Sequence, residues 1–270
     1  MLSGLRAAKK RFSAWRNWQQ RIWQLQQNMY AMTRGLKPLD HRFDGIAVII
    51  PALNEAKQIG GLLETLSQSG FDEIIVADGG SSDDTAAIVA TFPQVQFIQS
   101  KCGRGPQINT GVRTSKASDV VILHADTRLP PNAAALIRNT LSNNAVAGGC
   151  FRLKFDQPAR LLRIYEWFSR FETSFTTFGD QAFFMRRSVF DAIDGAPDWP
   201  FLEDVVLRDR IRSVGFFQKR PEAVVTSARR FVRRGPLLCQ LRNIAVIAGF
   251  RCGMSIKALA RFYGAAQTGT

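Results

Sequence analysis

The strongest constraint on the fold is an alternation of short apolar runs with helical stretches between residues 46 and 123. Strands are predicted at 46–50, 73–77, 95–99 and 120–123, of which the first and the last are short, continuous apolar runs typical of buried strands. Helical stretches separate them at 57–69, 85–91 and 107–114. The order β-α-β-α-β-α-β predicts an α/β fold with a largely parallel sheet and helices on both faces.

Beyond residue 126 the pattern is less regular, but it still predicts three elements. We expect a helix at 132–143, an alternating strand at 148–155 and an aromatic-rich helix at 158–173. Ligands of parallel sheets bind beyond the carboxyl ends of the strands. The residues that follow each predicted strand are therefore the candidates for a functional site.

The first 30 residues predict a basic amphipathic helix. Apolar side chains recur there at spacings of three, four or seven residues, at Leu5, Phe12, Trp15, Ile22, Leu25 and Met29. A basic helix with tryptophans at its margins can lie in a membrane interface. The alternative is that this stripe packs on the protein itself or on a second copy, which leaves a homodimer open.

The net charge of +14 is concentrated at the two ends of the chain. Residues 1–39 and residues 223–270 each contain eight Lys or Arg and no acid, which leaves a net charge of −2 for residues 40–222. Basic ends favour an anionic partner such as a membrane surface, a nucleic acid or a phosphate group, although a solvated helix face gives the same pattern.

Cysteine usage argues against a structural zinc site or a disulfide framework. The four cysteines are widely spaced without a CxxC pair, which favours a reducing cytoplasm. The N-terminus lacks the uninterrupted apolar core of a signal peptide, and no segment has the roughly 18–20 apolar residues of a membrane span. We predict a cytoplasmic protein, attached peripherally to the inner face of the membrane through its basic first helix.

The first two predicted strands end in polar side chains. The segment PALNE at 51–55 lacks the GxGxxG pattern, which argues against a dinucleotide-binding Rossmann enzyme. Asn54 and Glu55 place polar groups where a nucleoside could lie, unless Asn54 only caps the next helix. Asp78 leaves the second strand into the same crevice, where its carboxylate can accept a hydrogen bond from a base or a ribose.

Two further strand ends carry residues suited to phosphate and metal. Arg104 precedes a predicted helix, whose N-terminus would help it to meet a phosphate. His124 and Asp126 follow the fourth strand two residues apart, so in an extended stretch they point the same way. One carboxylate and one imidazole can hold a divalent ion whose other ligands are diphosphate oxygens and water.

An acidic pair, Glu203 and Asp204, lies between apolar residues in the second half of the chain. A general base must be a carboxylate near an acceptor hydroxyl, and Asp204 is the candidate. The alternative is that both acids only favour the start of a helix through its dipole.

Seven segments in this order resemble the family 2 glycosyltransferases. They begin at residues 51, 76, 103, 123, 179, 201 and 226 and read PALNE, VADGGSSDDT, GRGPQINTG, LHADT, GDQAFFMRR, FLEDVVLRDRIR and TSARRFVRRG. The similarity runs from about Ile46 to Tyr263 and is strongest to the bacterial branch labelled arsenosugar-biosynthesis-like. It implies a GT-A fold, a nucleotide-sugar donor, Mg²⁺ or Mn²⁺ as cofactor, and inversion at the anomeric carbon.

The resemblance also implies roles for individual residues. Asp126 would be the last acid of a DxD-type motif and hold the metal with His124, which stands where the general pattern has Asp. Asp204 would be the catalytic base, with Glu203 beside it. The acceptor site would be edged by Gly179, Asp180 and Gln181. The nucleotide-sugar would contact Pro51, Ala52, Asn54, Glu55, Asp78, Arg104, Gln107, Asn109 and Arg230, the last in place of the usual QxxRW arginine.

These expectations predict an inverting, metal-dependent glycosyltransferase. Its GT-A catalytic domain would span 40–222, between a helical extension at 1–39 and a basic helical segment at 223–270 that packs on it. The donor would be a UDP-, GDP- or dTDP-sugar, and the acceptor a hydroxyl that is soluble or lipid-linked. An anionic membrane surface is expected as a partner, and nucleic acid is not.

Two other kinds of protein share part of this pattern. A nucleotidyltransferase acting on a sugar phosphate has a similar sheet, but the early Gly-rich phosphate loop with Lys is absent here. A non-enzymatic module that binds membrane or nucleic acid would match the basic ends, but it would leave Asp78, Asp126 and Asp204 without a role.

Overall fold

The fold is built around an eight-stranded sheet, which the computed structural model describes within residues 43–199 and 201–263. The strands are β1 (Phe43–Ala52), β2 (Glu73–Asp78), β3 (Val95–Gln99), β4 (Ala117–Ile122), β5 (Thr127–Arg128), β6 (Val146–Phe155), β7 (Phe183–Arg186) and β8 (Phe216–Thr226). The helices are α1 (Ala56–Ser67), α2 (Thr85–Val89), α3 (Arg104–Thr114), α4 (Ala133–Leu141), α5 (Arg160–Phe168), α6 (Arg187–Ala192), α7 (Glu203–Val214), α8 (Arg229–Arg234), α9 (Pro236–Arg251) and α10 (Ile256–Tyr263).

The strand order is β3-β2-β1-β4-β7-β6-β8-β5. The first four neighbours are parallel, β7 runs antiparallel to both β4 and β6, β8 is parallel to β6, and β5 is antiparallel to β8. The predicted α/β fold with a mostly parallel sheet is confirmed. The sequence did not predict β7 or β8, because β7 is only four residues long and β8 contains a polar, proline-containing run, Lys219 to Glu222.

Alternate side chains of β1 divide the core into two layers. Ile46, Val48 and Ile50 pack on the side of α1 and α4, whereas Ala47 and Ile49 pack on the side of α3 and α7. All five side chains are fully buried. A parallel strand covered on both faces needs apolar residues at every position, which is why its sequence is a continuous apolar run.

The aromatic-rich helix is shorter than its sequence predicts. It was expected over 158–173, but α5 ends at Phe168. The ammonium group of Lys219 on β8 donates to the backbone carbonyls of Ser169 and Phe171 at 2.9 Å and of Thr176 at 3.0 Å. The chain after Phe168 therefore wraps around the ammonium group of a half-buried lysine, which occupies these carbonyl groups in place of a further helical turn.

The C-terminal part of the chain joins the sheet and then covers α7. Strand β8 continues to Thr226, so it crosses the expected boundary between 222 and 223. Val246 and Ile247 of α9 pack with Leu202 and Val205 at the start of α7, together with Leu259 of α10. Apolar contacts with α9 and α10 thereby fix the start of α7, where the acidic pair lies.

The predicted N-terminal helix, within residues 1–39, lies outside the described residues. Within 43–199 and 201–263, no helix has the length and apolar character needed to cross a bilayer.

Candidate active site

A cleft of about 930 Å³ opens at the carboxyl ends of β1 and β4. Its polar wall is formed by the turns after these two strands, the N-terminus of α3 and the first residues of α7. Its apolar wall is formed by α5, the segment after it, α8 and α9. Eleven of the residues expected at the site line the cleft: Pro51, Ala52, Glu55, Arg104, Gln107, His124, Asp126, Asp180, Gln181, Glu203 and Asp204.

Gln107 connects the ends of two neighbouring strands beneath the cleft. Its side-chain amide donates to the carbonyl oxygens of Ala52, at 2.6 Å, and of Ala77, at 2.8 Å. The amide is buried, and these two bonds satisfy both of its N–H donors. Gln107 thus sets the spacing of β1 and β2 where a ligand would meet them.

Two residues expected to contact the nucleoside, Asp78 and Asn54, form hydrogen bonds with a loop in this structure, and neither lines the cleft. The carboxylate of Asp78 accepts hydrogen bonds from the backbone N–H groups of Gly80 and Ser81, both at 2.9 Å, and from the Ser81 hydroxyl. The side-chain oxygen of Asn54 accepts from the Ser82 N–H at 2.8 Å. Their polar groups stabilise the Gly- and Ser-rich turn after β2 through contacts within the protein.

Asn109, expected at the nucleotide-sugar site, also lies away from the cleft. Its side chain donates to the carbonyl of Ala196 at 2.8 Å and accepts from the N–H of the same residue at 2.9 Å. This pair of bonds fixes the segment that leads into α7.

Pairing of β5 with β8 brings an arginine from late in the sequence beside the polar wall. The hydroxyls of Thr127 and Thr226 are 2.9 Å apart, and the Ser227 N–H donates to the Asp126 carbonyl at 3.2 Å. The guanidinium of Arg229 then lies 3.8 Å from a Glu55 oxygen and 4.0 Å from an Asp126 oxygen.

The sequence placed the site arginine one residue later, at Arg230. The side chain of Arg230 is outside what the structure describes, whereas that of Arg229 faces the two carboxylates. In a short helix, adjacent residues point about 100° apart, so a motif alone does not decide which of two neighbouring arginines faces the site.

Glu55 and Asp126 form a pair of carboxylates at the rim of the strands. Burial raises the pKa of Glu55 above its usual value, and the nearby charge of Asp126 raises it further, while Arg229 and Arg104 oppose both effects. A cationic ligand here would relieve the repulsion that the two acids exert on each other.

The donor set tests whether a metal ion fits. Among residues 43–199 and 201–263, no three His, Cys, Asp or Glu side chains are grouped as a ready-made site. Asp126 presents a half-buried carboxylate to the cleft. Mg²⁺ is commonly held by one or two carboxylates together with substrate phosphates and water. The residues present therefore fit a divalent ion that is shared between Asp126 and a diphosphate.

His124 lies next to two residues expected at the acceptor site, Gly179 and Asp204. A Cβ atom added to Gly179 would be 3.2 Å from the His124 Nε2 atom and 3.1 Å from the Asp204 Cβ atom. His124, Gly179 and Asp204 are therefore packed against one another, and a side chain at 179 would require one of its neighbours to shift by a few tenths of an ångström. Gly179 itself is buried and does not line the cleft.

The acidic pair forms the first two residues of α7 and also faces the cleft. One oxygen of Asp204 accepts the Gly179 N–H at 2.8 Å, and the other accepts the Val205 N–H at 2.8 Å. Glu203 is buried and lies 3.5 Å from the Arg104 guanidinium. Burial, followed by the charge of Asp204, raises the pKa of Glu203, and Arg104 counteracts the increase. The pair is thus both a helix start and a set of groups oriented towards a ligand.

The apolar wall of the cleft was not predicted from the sequence. Phe168, Phe175, Phe178 and Phe231 line it. The aromatic-rich stretch after residue 158 is the sequence signal for this wall, but its periodicity indicates a helix and not which ligand-binding surface the helix forms. An apolar wall opposite a charged one separates the cleft into two chemically different halves.

Comparison with known proteins identifies the family. The sequence model of glycosyl transferase family 2 matches residues 47–194. Glycosyltransferase AglJ from Haloferax volcanii is 29% identical over 84 residues, which are 31% of this chain and 28% of that protein. Glucosyl-3-phosphoglycerate synthase from Mycolicibacterium paratuberculosis is 29% identical over 92 residues, or 30% of this chain and 28% of its length. The chain thus aligns with less than a third of either relative.

Solved structures show the same fold at low sequence identity. S. aureus TarS 1-349 superposes with a TM-score of 0.57 and 16% identity, over 76% of this chain and 65% of that chain. Glucosyl-3-phosphoglycerate synthase from Mycobacterium tuberculosis, solved with Mn²⁺, UDP and glucosyl-3-phosphoglycerate, superposes with a TM-score of 0.54 and 16% identity, covering 78% of this chain and 81% of that one.

The family match covers more than half of the chain and includes both β1 and β4, whose ends form the polar wall of the cleft. The α/β sheet, the cleft beyond its strand ends and this match agree, and the chain belongs to glycosyl transferase family 2.

Proposed function

We propose that the protein transfers a glycosyl group, with inversion, from a nucleoside diphosphate sugar to an acceptor hydroxyl. The observation that carries this proposal is the convergence in one cleft of Glu55, Asp126, Asp204 and Arg104, with the Arg229 guanidinium 3.8 Å from Glu55 and 4.0 Å from Asp126. Carboxylates for a metal and a base, together with cations for a diphosphate, are the groups that such a transfer requires.

The donor diphosphate would lie between the N-terminus of α3 and Arg229. The first N–H groups of a helix and its dipole favour an anion, and Gly103 and Arg104 open α3 at the cleft. Pro51, Ala52 and Glu55 would then face the nucleoside. The UDP in the mycobacterial structure of the same fold supports a uridine nucleotide as the first donor to test.

A divalent ion, Mg²⁺ or Mn²⁺, would be held by Asp126 and the diphosphate and would offset the charge that develops on the leaving group. The two ions occur with UDP in structures of the mycobacterial enzyme. We place His124 beside the acceptor rather than in the ion's first coordination sphere, because its imidazole packs against Gly179.

In the proposed reaction, Asp204 accepts the proton of the acceptor hydroxyl. The acceptor oxygen forms a bond to the anomeric carbon while the bond from that carbon to the diphosphate oxygen breaks on the opposite face. The electron pair leaves with the nucleoside diphosphate, whose negative charge Arg229 and the N-terminus of α3 stabilise. The Gly179 N–H keeps the Asp204 carboxylate oriented through the transfer.

A thermal-shift series with UDP-, GDP- and dTDP-sugars, each with and without Mn²⁺, tests donor binding. One donor is expected to raise the melting temperature by a ligand-dependent amount, and the increase should shrink when Mn²⁺ is removed with a chelator. Release of that nucleoside diphosphate, measured with an acceptor mixture, then tests turnover.

Three results would contradict the proposal. The first is that no nucleotide-sugar raises the melting temperature. The second is release of pyrophosphate from a nucleoside triphosphate, which indicates a nucleotidyltransferase. The third is tight, salt-sensitive binding of duplex DNA without any binding of nucleotide-sugars, which indicates a nucleic-acid module.

A further inference from the structure

The surface around α5 and α9 exposes most of the large apolar side chains that protrude from the described part of the chain. They are Leu161, Ile164, Trp167, Phe168 and Phe171 on α5 and the turn after it, and Leu237, Leu238, Leu241 and Ile244 on α9. Their exposed fractions are 41–62%. The two helices are in contact, so we treat these nine residues as one surface, the apolar face. Exposed apolar patches mark interaction sites on globular domains.

The apolar face comes from a helix that turns its apolar side outward. Ile164, Trp167, Phe168 and Phe171 follow one another at spacings of three, one and three residues, whereas Leu162 is the buried residue of α5. The rings cluster, with centroid distances of 4.9 Å from Trp167 to Phe168 and 5.1 Å from Trp167 to Phe171. An aromatic cluster of which about half remains exposed to solvent favours an external partner.

Cations surround this face, and the nearest acid on α5 points away from it. Arg160, Arg163 and Arg170 are exposed, and the Arg170 guanidinium carbon lies 5.1 Å from the centre of the Trp167 ring. Glu166 is the acid of α5, and its carboxylate accepts the Phe155 N–H at 2.9 Å. Aromatic and aliphatic side chains flanked by arginines complement the acyl boundary and the phosphates of an anionic bilayer.

The apolar face is continuous with the mouth of the cleft. Ile164, Phe168 and Ile244 belong to the face and also line the cleft. A partner that covers the face would therefore sit beside the cleft opening. A bilayer does this without closing the cleft, because it meets the protein along a plane.

We propose that the apolar face docks on an anionic lipid bilayer. Its aromatic side chains insert at the boundary between headgroups and acyl chains, and its arginines meet the lipid phosphates. The proposal concerns binding alone, so it stands whether or not the proposed glycosyl transfer is correct. It also concerns residues other than those of the basic N-terminal segment.

Co-sedimentation of the full chain with vesicles of equimolar phosphatidylcholine and phosphatidylglycerol tests the proposal. The double variant Trp167→Ser/Phe168→Ser should have a partition coefficient at least about tenfold lower than the wild type. The matched control is Phe216→Ser, because Phe216 is 73% exposed at the start of β8 and lies outside the apolar face. The control should sediment like the wild type, and pure phosphatidylcholine vesicles should bind the wild type more weakly.

A second variant, Arg163→Glu/Arg170→Glu, covers the case in which the serine variant does not fold, as judged by its melting transition. It should lose binding to anionic vesicles and show little dependence on added salt. If either double variant is folded and sediments with anionic vesicles as well as the wild type does, the proposal is overturned and vesicle binding belongs to other residues. Failure of the wild-type protein to sediment with anionic vesicles would also overturn the proposal. A third contradicting result is a wild-type dimer that the serine variant converts to monomers while vesicle binding stays unchanged. The apolar face would then be the contact between two copies of the chain.

Discussion

At the scale of single residues, the candidate site is organised by where each carboxylate is held. Asp126 and Glu55 share the neighbourhood of Arg229, whereas Asp204 is held by the Gly179 N–H on the acceptor side. Two acids near one cation suit a metal and a diphosphate, and an acid held by backbone donors stays oriented for proton transfer. The division predicts that different substitutions affect binding and turnover separately.

Replacing Asp204 with Asn removes the proposed base and keeps the shape of the side chain. Turnover should fall by at least about a hundredfold, because general base catalysis contributes a factor of that size or more. The donor-induced shift in melting temperature should remain, since Asp204 lies on the acceptor side. Asp126→Asn is the complementary variant and should lose the Mn²⁺-dependent part of that shift. A fully active Asp204→Asn enzyme would exclude Asp204 as the base.

Adding a single methyl group at Gly179 tests the packing of the acceptor side. Its Cβ atom would lie 3.1 Å from the Asp204 Cβ atom and 3.2 Å from His124, so Asp204 must shift. We expect Gly179→Ala to lower kcat at least about tenfold with donor affinity unchanged. Gly61→Ala is the matched control, because a Cβ atom there meets nothing within 4 Å and Gly61 lies within α1. Equal kcat values for the two variants would show that Asp204 needs no such positioning.

The two neighbouring arginines of α8 can be separated by a pair of substitutions. Arg229→Ala removes the guanidinium beside Glu55 and Asp126, and kcat/KM should fall by roughly tenfold to a hundredfold, the size of a lost charge-assisted hydrogen bond. Arg230→Ala should have a smaller effect. Steady-state kinetics with the identified donor measures both, and a larger loss in Arg230→Ala would return the diphosphate role to Arg230.

At the scale of elements, β4 leads into the site at its carboxyl end and also contains a partly buried aspartate, Asp119, whose charged form destabilises the fold. Asp119 pairs across the sheet with Arg186 of β7. Burial raises the pKa of Asp119 to about 6, and the opposing effect of Arg186 does not cancel the increase. A raised carboxyl pKa favours folding below the ordinary value of 3.8, and this advantage is lost as the pH rises through about 6.

Asp119→Asn should therefore stabilise the protein at neutral pH. The expected gain in melting temperature is a few degrees, at roughly 2–4 °C per kcal/mol for a chain of this size. The gain should disappear near pH 4, where Asp119 itself is protonated. Melting curves across this range measure it, with Asp84→Asn at the N-cap of α2 as the control. A gain that is constant with pH would show that the charge of Asp119 is not the cause.

At the scale of the whole molecule, basic charge and apolar exposure coincide. The segment 223–270 has eight basic residues and no acid, and α9 within it carries four of the nine residues of the apolar face. Residues 1–39 have the same charge and the sequence pattern of an amphipathic helix. Two separate parts of the chain thus have the composition of a membrane-binding surface, and their contributions to binding should add.

Deleting residues 1–35 tests the N-terminal contribution by itself. The fraction that sediments with anionic vesicles should decrease, because a basic segment adds about 1 kcal/mol per Lys or Arg near an anionic surface. Residual binding should still respond to Trp167→Ser/Phe168→Ser. Unchanged sedimentation of the deletion variant would remove the membrane role of the first helix.

The sequence alone determined the first half of the fold and the edge at which the site lies. Stretches of parallel strand that are buried on both faces must be apolar, so 46–50 of β1, 74–77 of β2 and 120–122 of β4 were visible as runs. The carboxyl ends of the predicted strands then located Glu55, Arg104 and Asp126. The acidic pair at the start of α7 was visible for a similar reason, since two acids between apolar residues need a partner or a function.

Only the tertiary structure decided which polar residues line the cleft. Asp78, Asn54 and Asn109 have side chains of the kind that can bind substrate, but in this structure they bond to backbone groups of residues 80–82 and 196. Pairing of β5 with β8 brings Arg229 beside Asp126, a contact between residues about a hundred positions apart. A polar side chain can satisfy a backbone group or a ligand equally well, so local sequence does not distinguish the two. The long-range packing of the chain decides which one it meets.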